Sequence, residues 1–341
     1  MFLPSTFSRL KSLNGTQSAG DAVFAGIKDI VAKHKGSLKE ISLVGYSFGG
    51  IVAWWVAGRL YAEGFLGLTP QNFVTIACPH LGATDPDSTH SNLFQIIRKF
   101  FIHRAGGQTG AELSHNDEHS LLLWMSDPAS PFYAGLKCFC QRILYANLRG
   151  DRTVPFHTAY FPSSGEPNEE LPGRWCTVDS DCPHVLIASD KPSPLSPLVE
   201  KMPARVACIL LALIPLLIVW LLIVVPLATV AITFLSAWRC VRRACSPPSH
   251  LPPELAPPVG WAGSVQGGGV QARMAGALNG LAWRKRAVLF TWADDGVAAV
   301  HTHGHIVVRH PRLNGFGADV IRRIARDMRP AGASSPRHAA I

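Results

Sequence analysis

A serine held between glycines, Gly45-Tyr46-Ser47-Phe48-Gly49, is the first place in this 341-residue chain where residue types and spacing suit covalent chemistry. A serine hydroxyl is a weak nucleophile; it attacks a carbonyl when a strained turn exposes it and a base removes its proton. Gly45 and Gly49 suit such a turn, where side chains at neighbouring positions would collide. The run "ISLVG" before the serine fits a buried parallel strand, and "IVAWWVAGRLYAEGFL" after it is apolar and rich in helix formers. Strand, turn and helix in that order are what the G-x-S-x-G pattern requires. The helix N-terminus would aim backbone N–H groups at a developing oxyanion, with the Phe48 amide as the natural donor. The competing reading is a structural turn that matches a five-residue pattern by chance.

The hydroxyl also needs a base and a carboxylate to orient that base, and in α/β-hydrolases these follow in the order serine, acid, histidine. Asp151 stands in "NLRGDRTVPFHTAY", after the strand-like run "CFCQRILYANL", where a loop at the carboxyl edge of a sheet would place it. Beside Gly150 it equally suits an ordinary turn. His303 stands in "VHTHGHIVVRH", before a further strand-like run, and spacing alone does not separate it from His301 and His305.

These residues need a scaffold, and the apolar pattern supplies one. "AGDAVFAGIKDIVAKHK" carries Val23, Ile27, Ile30 and Val31 at helical spacing, and "NFVTIACP" reads as a strand ended by proline. "RAVLFTW" and "HIVVRH" read as later strands and "GADVIRRIARDM" as an amphipathic helix. Helices alternating with strands predict an α/β sheet covered on both faces.

Composition narrows the function classes. Apolar residues make up 48% of the chain and charged residues 16%, more apolar than an ordinary soluble protein. The net charge of +9 comes from Arg and Lys spread along the chain, with no basic run interleaved with aromatics, which argues against nucleic acid as a partner. The N-terminus lacks an apolar core of signal-peptide length, so no secretory signal is expected. Eight cysteines are scattered; Cys138 and Cys140 form a lone pair, and Cys176 and Cys182 are too far apart for a zinc knuckle. Reduced thiols facing the cytosol are the expectation, with no metal or organic cofactor.

Four blocks, "ISLVGYSFGG", "CPHLGATDP", "NLRGDRTVPFHTAYF" and "HGHIVVRHPRLNGFGADVIRRI", together resemble a serine esterase (lipase-like) family of α/β-hydrolases that includes a fungal lipid-droplet phospholipase. The resemblance covers roughly residues 15–160 and 275–329. Block by block it implies Ser47 as nucleophile, Asp151 as acid and His303, six residues before Arg309, as base; His80 of the "PHLG" block would shape the pocket. Two departures stand out. Tyr46 replaces the family's usual histidine at a position expected to point away from the oxyanion, with a modest effect. Family members also carry an early strand ending in His-Gly, whose loop gives a second oxyanion amide. Fewer than fifty residues precede Ser47 and none holds such a pair. The expectation is an N-terminally truncated α/β-hydrolase fold, and losing one oxyanion donor costs on the order of a hundredfold to a thousandfold in rate.

One further segment stands apart. "VACILLALIPLLIVWLLIVVPLATVAITFLSAW", from Val206 to Trp238, carries no charge, exceeds the length of a bilayer span, and is interrupted by Pro215 and Pro226. A single crossing would put Ser47 and Asp151 on one side and His303 on the other. Basic residues on both flanks (Lys201, Arg205, Arg239, Arg242, Arg243) agree with both ends staying cytosolic, in a hairpin on an endoplasmic-reticulum or lipid-droplet surface. A kinked single span is the alternative. The expected organisation is a hydrolase part over 1–200, the hydrophobic membrane segment over 201–245, a Pro/Gly-rich linker over 246–273, a C-terminal hydrolase part with the histidine over 274–329, and a tail over 330–341. The activity expected of this arrangement is hydrolysis of lipid acyl esters at a membrane surface. A catalytically inactive membrane-attached scaffold is the rival, and a membrane transport subunit is disfavoured because one interrupted apolar segment offers no bundle.

Overall fold

Side chains along a strand alternate between faces, and in this chain both sets are apolar. Phe73 and Leu144 enter one core, while their neighbours Val74 and Tyr145 enter another on the opposite side of the sheet. A strand apolar on both faces belongs inside a layered α/β structure. The computed structural model shows that arrangement, and it describes residues 14–34, 36–83, 107–117, 120–163, 176–188, 251–259, 261, 269–290, 302–309 and 317–328, with scattered positions between 212 and 234.

Six strands form one sheet: β1 (Glu40–Tyr46), β2 (Thr69–Ile76), β3 (Gln141–Asn147), β4 (Cys176–Asp179), β5 (Cys182–Ala188) and β6 (Arg284–Val288). Their order is β1-β2-β3-β6-β5-β4. The first four in that order run parallel, and β5 and β4 close the far side as an antiparallel hairpin. Tyr46 pairs with Ile76, Ile76 with Tyr145 and Asn147 with Val288, so the carboxyl ends of the parallel strands lie level.

The described helices are α1 (Thr16–Lys33), α2 (Phe48–Ala62), α3 (Gly107–Leu113), α4 (Leu121–Ser126), α5 (Pro131–Cys138), α6 (Phe156–Tyr160), α7 (Ile214–Val219), α8 (Gly269–Asn279), α9 (Thr302–His305) and α10 (Ala318–Asp327). α2 is apolar nearly all round, as a helix enclosed by others must be; Trp54 and Trp55 in it are fully buried. Burying one such ring stabilises by roughly 4–6 kcal/mol at about 25 cal/mol per Å². The face against α10 is smaller, and beside buried Val320 and Ile324 it adds charged pairs. Asp327 of α10 accepts the Tyr145 hydroxyl at 2.6 Å and lies 3.4 Å from Arg286, while Arg323 pairs with Asp179 at 3.0 Å.

The parallel-rich α/β sheet agrees with the fold class expected from the sequence. Several local expectations differ. The strand read from "CFCQRILYANL" begins only at Gln141, because Cys138 closes α5 and Phe139 turns into the core. The described part of "HIVVRH", residues 305–309, is the end of α9 and a turn, not a strand: Ile306 drops into the second core and Val308 takes a left-handed φ of 51°. The β4–β5 hairpin was not anticipated; its turn is set by Asp179, whose carboxylate accepts the Asp181 amide at 2.9 Å. Part of the Pro/Gly-rich stretch packs as a strap, with Leu255 fully buried, its carbonyl accepting the Trp124 indole N–H at 2.8 Å, and Glu254 bonding Arg59 at 2.9 Å.

The hydrophobic segment 201–245 lies largely outside the described residues. Within it α7 is six residues long, and Ile218, Val219, Leu222, Leu227 and Phe234 are exposed. Among the described residues no helix is long and apolar enough to cross a membrane. β1 is the outer strand of the described sheet, and Val44 on it is 50% exposed.

Candidate active site

The backbone bends sharply where β1 gives way to α2. Ser47 sits at φ 54° and ψ −131°, outside the regions an L-residue prefers, a conformation that costs on the order of 1–3 kcal/mol. Its neighbours hold it there: the Ser47 amide donates to the Ile76 carbonyl at 2.8 Å, and the Ser47 carbonyl accepts the Gly50 amide at 2.9 Å. Gly45 is required because a β-carbon there would strike the Gly49 carbonyl and stand 2.6 Å from the Gly50 nitrogen. Gly49 is not crowded in this way, since a β-carbon there would meet nothing within 4 Å. The second position closed to a side chain is Gly50, where a β-carbon would press on Cys78. Steric demand therefore falls one residue later than the five-residue pattern suggests. Phe48 is the first residue of α2, and first-turn amides have no intrahelical acceptor, so its N–H is available to an oxygen above Ser47.

Asp151 follows β3 by four residues. Its Oδ1 accepts the amides of Thr153 and Val154, each at 2.9 Å, and its Oδ2 accepts the side-chain amide of Asn147 at 2.8 Å. Burial works to raise this carboxyl. The hydrogen bond from His303, that ring's charge when protonated, the Val154 amide and Asn147 outweigh it and hold the carboxyl below its ordinary value.

His303 lies in the single turn α9, which is stitched to the acid loop: the Thr302 hydroxyl donates to the Arg149 carbonyl at 3.0 Å and the Thr302 amide to the Gly150 carbonyl at 3.3 Å. His303 Nδ1 donates to Asp151 Oδ2 at 2.8 Å, and its Nε2 accepts the Ser47 hydroxyl at 2.9 Å. Those two bonds assign the proton to Nδ1, the tautomer a general base toward serine needs. Both side chains are screened from water, His303 at 9% and Asp151 at 3% exposure.

Ser47, His303 and Asp151, far apart in sequence, thus meet in one relay. Of the competing histidines, His305 points into the second core and packs against Phe290 with ring centres 6.0 Å apart; His301 lies outside the described residues. His80 is buried away from the relay, with Nδ1 donating to the Ala159 carbonyl at 3.1 Å. Burial pushes its basicity down to about 4, against the Ala159 and Cys78 backbone contacts that favour the proton.

Three contributors were not foreseen from the sequence. Gly50 was hidden behind the shorter pattern, although "GYSFGG" prints it. Asn147 ends β3 four residues before Asp151, a spacing that offered a signal only once the acid was chosen. Tyr46, expected only to point away from the oxyanion with a modest effect, donates its hydroxyl to the His303 carbonyl at 2.8 Å. Among the described residues no group of three His, Cys, Asp or Glu side chains could hold a metal ion, and Cys78, Cys138, Cys140 and Cys182 are free thiols.

Residues 1–165 match the family described as "Putative serine esterase (DUF676)". Three of the four sequence blocks fall within that match; the block bearing His303 lies beyond it, so His303 is placed by geometry. Among curated proteins, the chain is 35% identical over 130 residues to "Putative lipase C4A8.10" of Schizosaccharomyces pombe, covering 35% of this chain and 16% of that protein. It is 30% identical over 127 residues to "Putative lipase ROG1" of Saccharomyces cerevisiae, covering 36% of this chain and 18% of that protein. The chain thus aligns with under a fifth of either relative's length. No solved structure matches.

Proposed function

We propose that this chain, whose residues 1–165 match a serine esterase family, hydrolyses acyl esters of lipids through Ser47. The observation that carries the reading is the continuous relay from Ser47 Oγ through His303 to Asp151, with both hydrogen bonds under 3 Å. In the reaction His303 takes the hydroxyl proton as Ser47 Oγ attacks the ester carbonyl, and Asp151 stabilises the imidazolium. The Phe48 amide faces the oxyanion. Collapse of the tetrahedral intermediate expels the alcohol, which takes its proton from His303, and leaves an acyl-serine. Water, deprotonated by the same imidazole, then attacks the acyl carbonyl, and collapse releases the acid as Ser47 Oγ takes the proton back from His303. No step requires a metal or organic cofactor.

The lipid class is supported by relatives named as lipases and by exposed apolar side chains such as Leu222, Leu227 and Phe234 in the hydrophobic segment. A hairpin of that segment, dipping into an endoplasmic-reticulum or lipid-droplet surface with the relay facing the cytosol, would deliver lipid esters without separating Ser47 from His303. A second reading, a membrane-attached scaffold without turnover, draws on β1 being the outer strand of the described sheet, so that the flank of Ser47 away from β2 carries no described strand. Release of fatty acid from phospholipid vesicles and triacylglycerol emulsion, compared between wild type and Ser47→Ala, decides between them. Hydrolysis that vanishes with Ser47→Ala supports the esterase; equal rates for the two proteins, or no release from either, support the scaffold.

A further inference from the structure

The turn that carries His303 is short, and its carbonyls reveal how it is held. Those of Thr302, Gly304 and His305 accept the amides of Ile306, Arg309 and Val308 at 3.2, 3.0 and 3.0 Å. The carbonyl of His303 accepts instead the phenol of Tyr46, at 2.8 Å across 257 positions of sequence. The Tyr46 ring also leans on the imidazole, with centres 5.0 Å apart and planes inclined by 36°. Tyr46 immediately precedes Ser47, and its backbone is fixed by pairing with Ile76 in β2.

We propose that Tyr46 is a positioning residue that latches the His303 turn to the nucleophile elbow and so sets the Ser47–His303 distance. This rests on the esterase reading above. A four-residue turn has little internal stability, and α9 has no sheet pairing of its own. Thr302 ties it to the acid loop and thereby fixes the His303–Asp151 half of the relay. The other half needs a tie to β1, and Tyr46 is bonded to the main chain of the base itself. A main-chain acceptor fixes the turn without drawing on either ring nitrogen, so both stay engaged with Asp151 and Ser47. Burial first, with Asp151 adding and Arg309 opposing, pushes the phenol up to about 12, so it remains a donor at neutral pH and above. The ring restricts imidazole rotation, and the hydroxyl restricts the turn. Tyr46→Phe separates the two, because it keeps the ring and removes only the bond.

Two measurements on wild type and Tyr46→Phe test this. The first is amide hydrogen exchange over residues 302–309, read by mass spectrometry. Loss of the latch is expected to speed exchange there about fivefold, the worth of one hydrogen bond of about 1 kcal/mol, while β2 and β3 stay protected. The second is the rate of Ser47 phosphonylation by a fluorophosphonate, beside kcat and KM on p-nitrophenyl butyrate. Phosphonylation and kcat are expected to fall roughly fivefold to tenfold together, with KM unchanged and the melting temperature lowered by no more than a few degrees, the shift that about 1 kcal/mol produces. Wild-type exchange at 302–309 with wild-type phosphonylation would overturn the proposal. So would a drop in melting temperature well beyond a few degrees with exchange speeded equally across β2, β3 and residues 302–309, which would make Tyr46 an ordinary core residue. If wild type itself fails to label at Ser47, the esterase reading falls, and the exchange arm still decides whether Tyr46 holds the turn.

Discussion

Two buried histidines lie on the segments that follow β2 and β6, and the difference between them shows why one suits the proposed base and the other does not. Taken as whole residues, His80 and His303 are 2% and 7% exposed, and each donates from Nδ1 to an oxygen. For His80 that oxygen is the Ala159 carbonyl; for His303 it is a carboxylate. His80 is walled by the edges of Phe161 and Trp283 at 5.2 and 5.7 Å, and its Nε2 has no partner among the described residues. His303 spends the same nitrogen on the Ser47 hydroxyl. Burial alone therefore does not make a base. A carbonyl dipole offers an imidazolium less than a carboxylate does, and a nitrogen without a hydroxyl partner has no proton to take.

Removing each ring in turn separates the two histidines most strongly. His303→Gln is expected to lower esterase turnover by at least about 10⁴-fold with little change in melting temperature, whereas His80→Gln keeps turnover of the same order; initial rates on a soluble ester check both. Asp151→Asn is next, with an expected loss of about 10³- to 10⁴-fold, because an amide no longer enforces the Nδ1–H tautomer or stabilises the imidazolium. Equal activity of Asp151→Asn and wild type would show that the carboxylate does not serve the relay.

The third test uses acid. The unfolded chain protonates the His80 ring near its ordinary value of 6.5, and the folded chain only near 4. Between those values the unfolded state binds more protons, so stability is whole above pH 6.5 and falls as pH drops toward 4. The shift corresponds to about 3 kcal/mol, and denaturant midpoints at pH 7 and pH 4.5 should show most of it. His80→Gln should flatten that dependence; His115, also pushed down by burial, leaves a remainder. Asp151 acts at lower pH, since its depressed carboxyl contributes stability above its ordinary value near 3.8 that is lost on further acidification. The smallest effects separate two glycines. Gly45→Ala should cost about 1–3 kcal/mol through overpacking, while Gly49→Ala, open and helical, should be neutral or stabilising by up to about 1 kcal/mol, both read as unfolding free energies.

The parts legible in sequence were those carried by local pattern. β1, Ser47 and α2 are contiguous, so an apolar run, a tight turn and a helix announce themselves between Glu40 and Ala62, and the alternation of helices and strands around them gives the α/β class. What was not legible depends on contacts across the chain. Tyr46 reaches a carbonyl 257 residues away, and nothing at position 46 signals that acceptor. "HIVVRH" has strand composition, yet residues 305–309 close α9 and turn, burying Ile306 against residues distant in sequence. The Pro-rich strap looks like a spacer until Leu255 is seen in the core beside Trp124. Gly50 shows the same limit at short range, because its neighbour Cys78 comes from the segment after β2.

The most direct test of the central claim is to incubate the protein with a fluorophosphonate and locate the adduct by peptide mass mapping. One phosphonylated residue is expected, Ser47, with labelling lost in His303→Gln. An unlabelled Ser47 in folded protein, or labelling that survives His303→Gln at the wild-type rate, would contradict it.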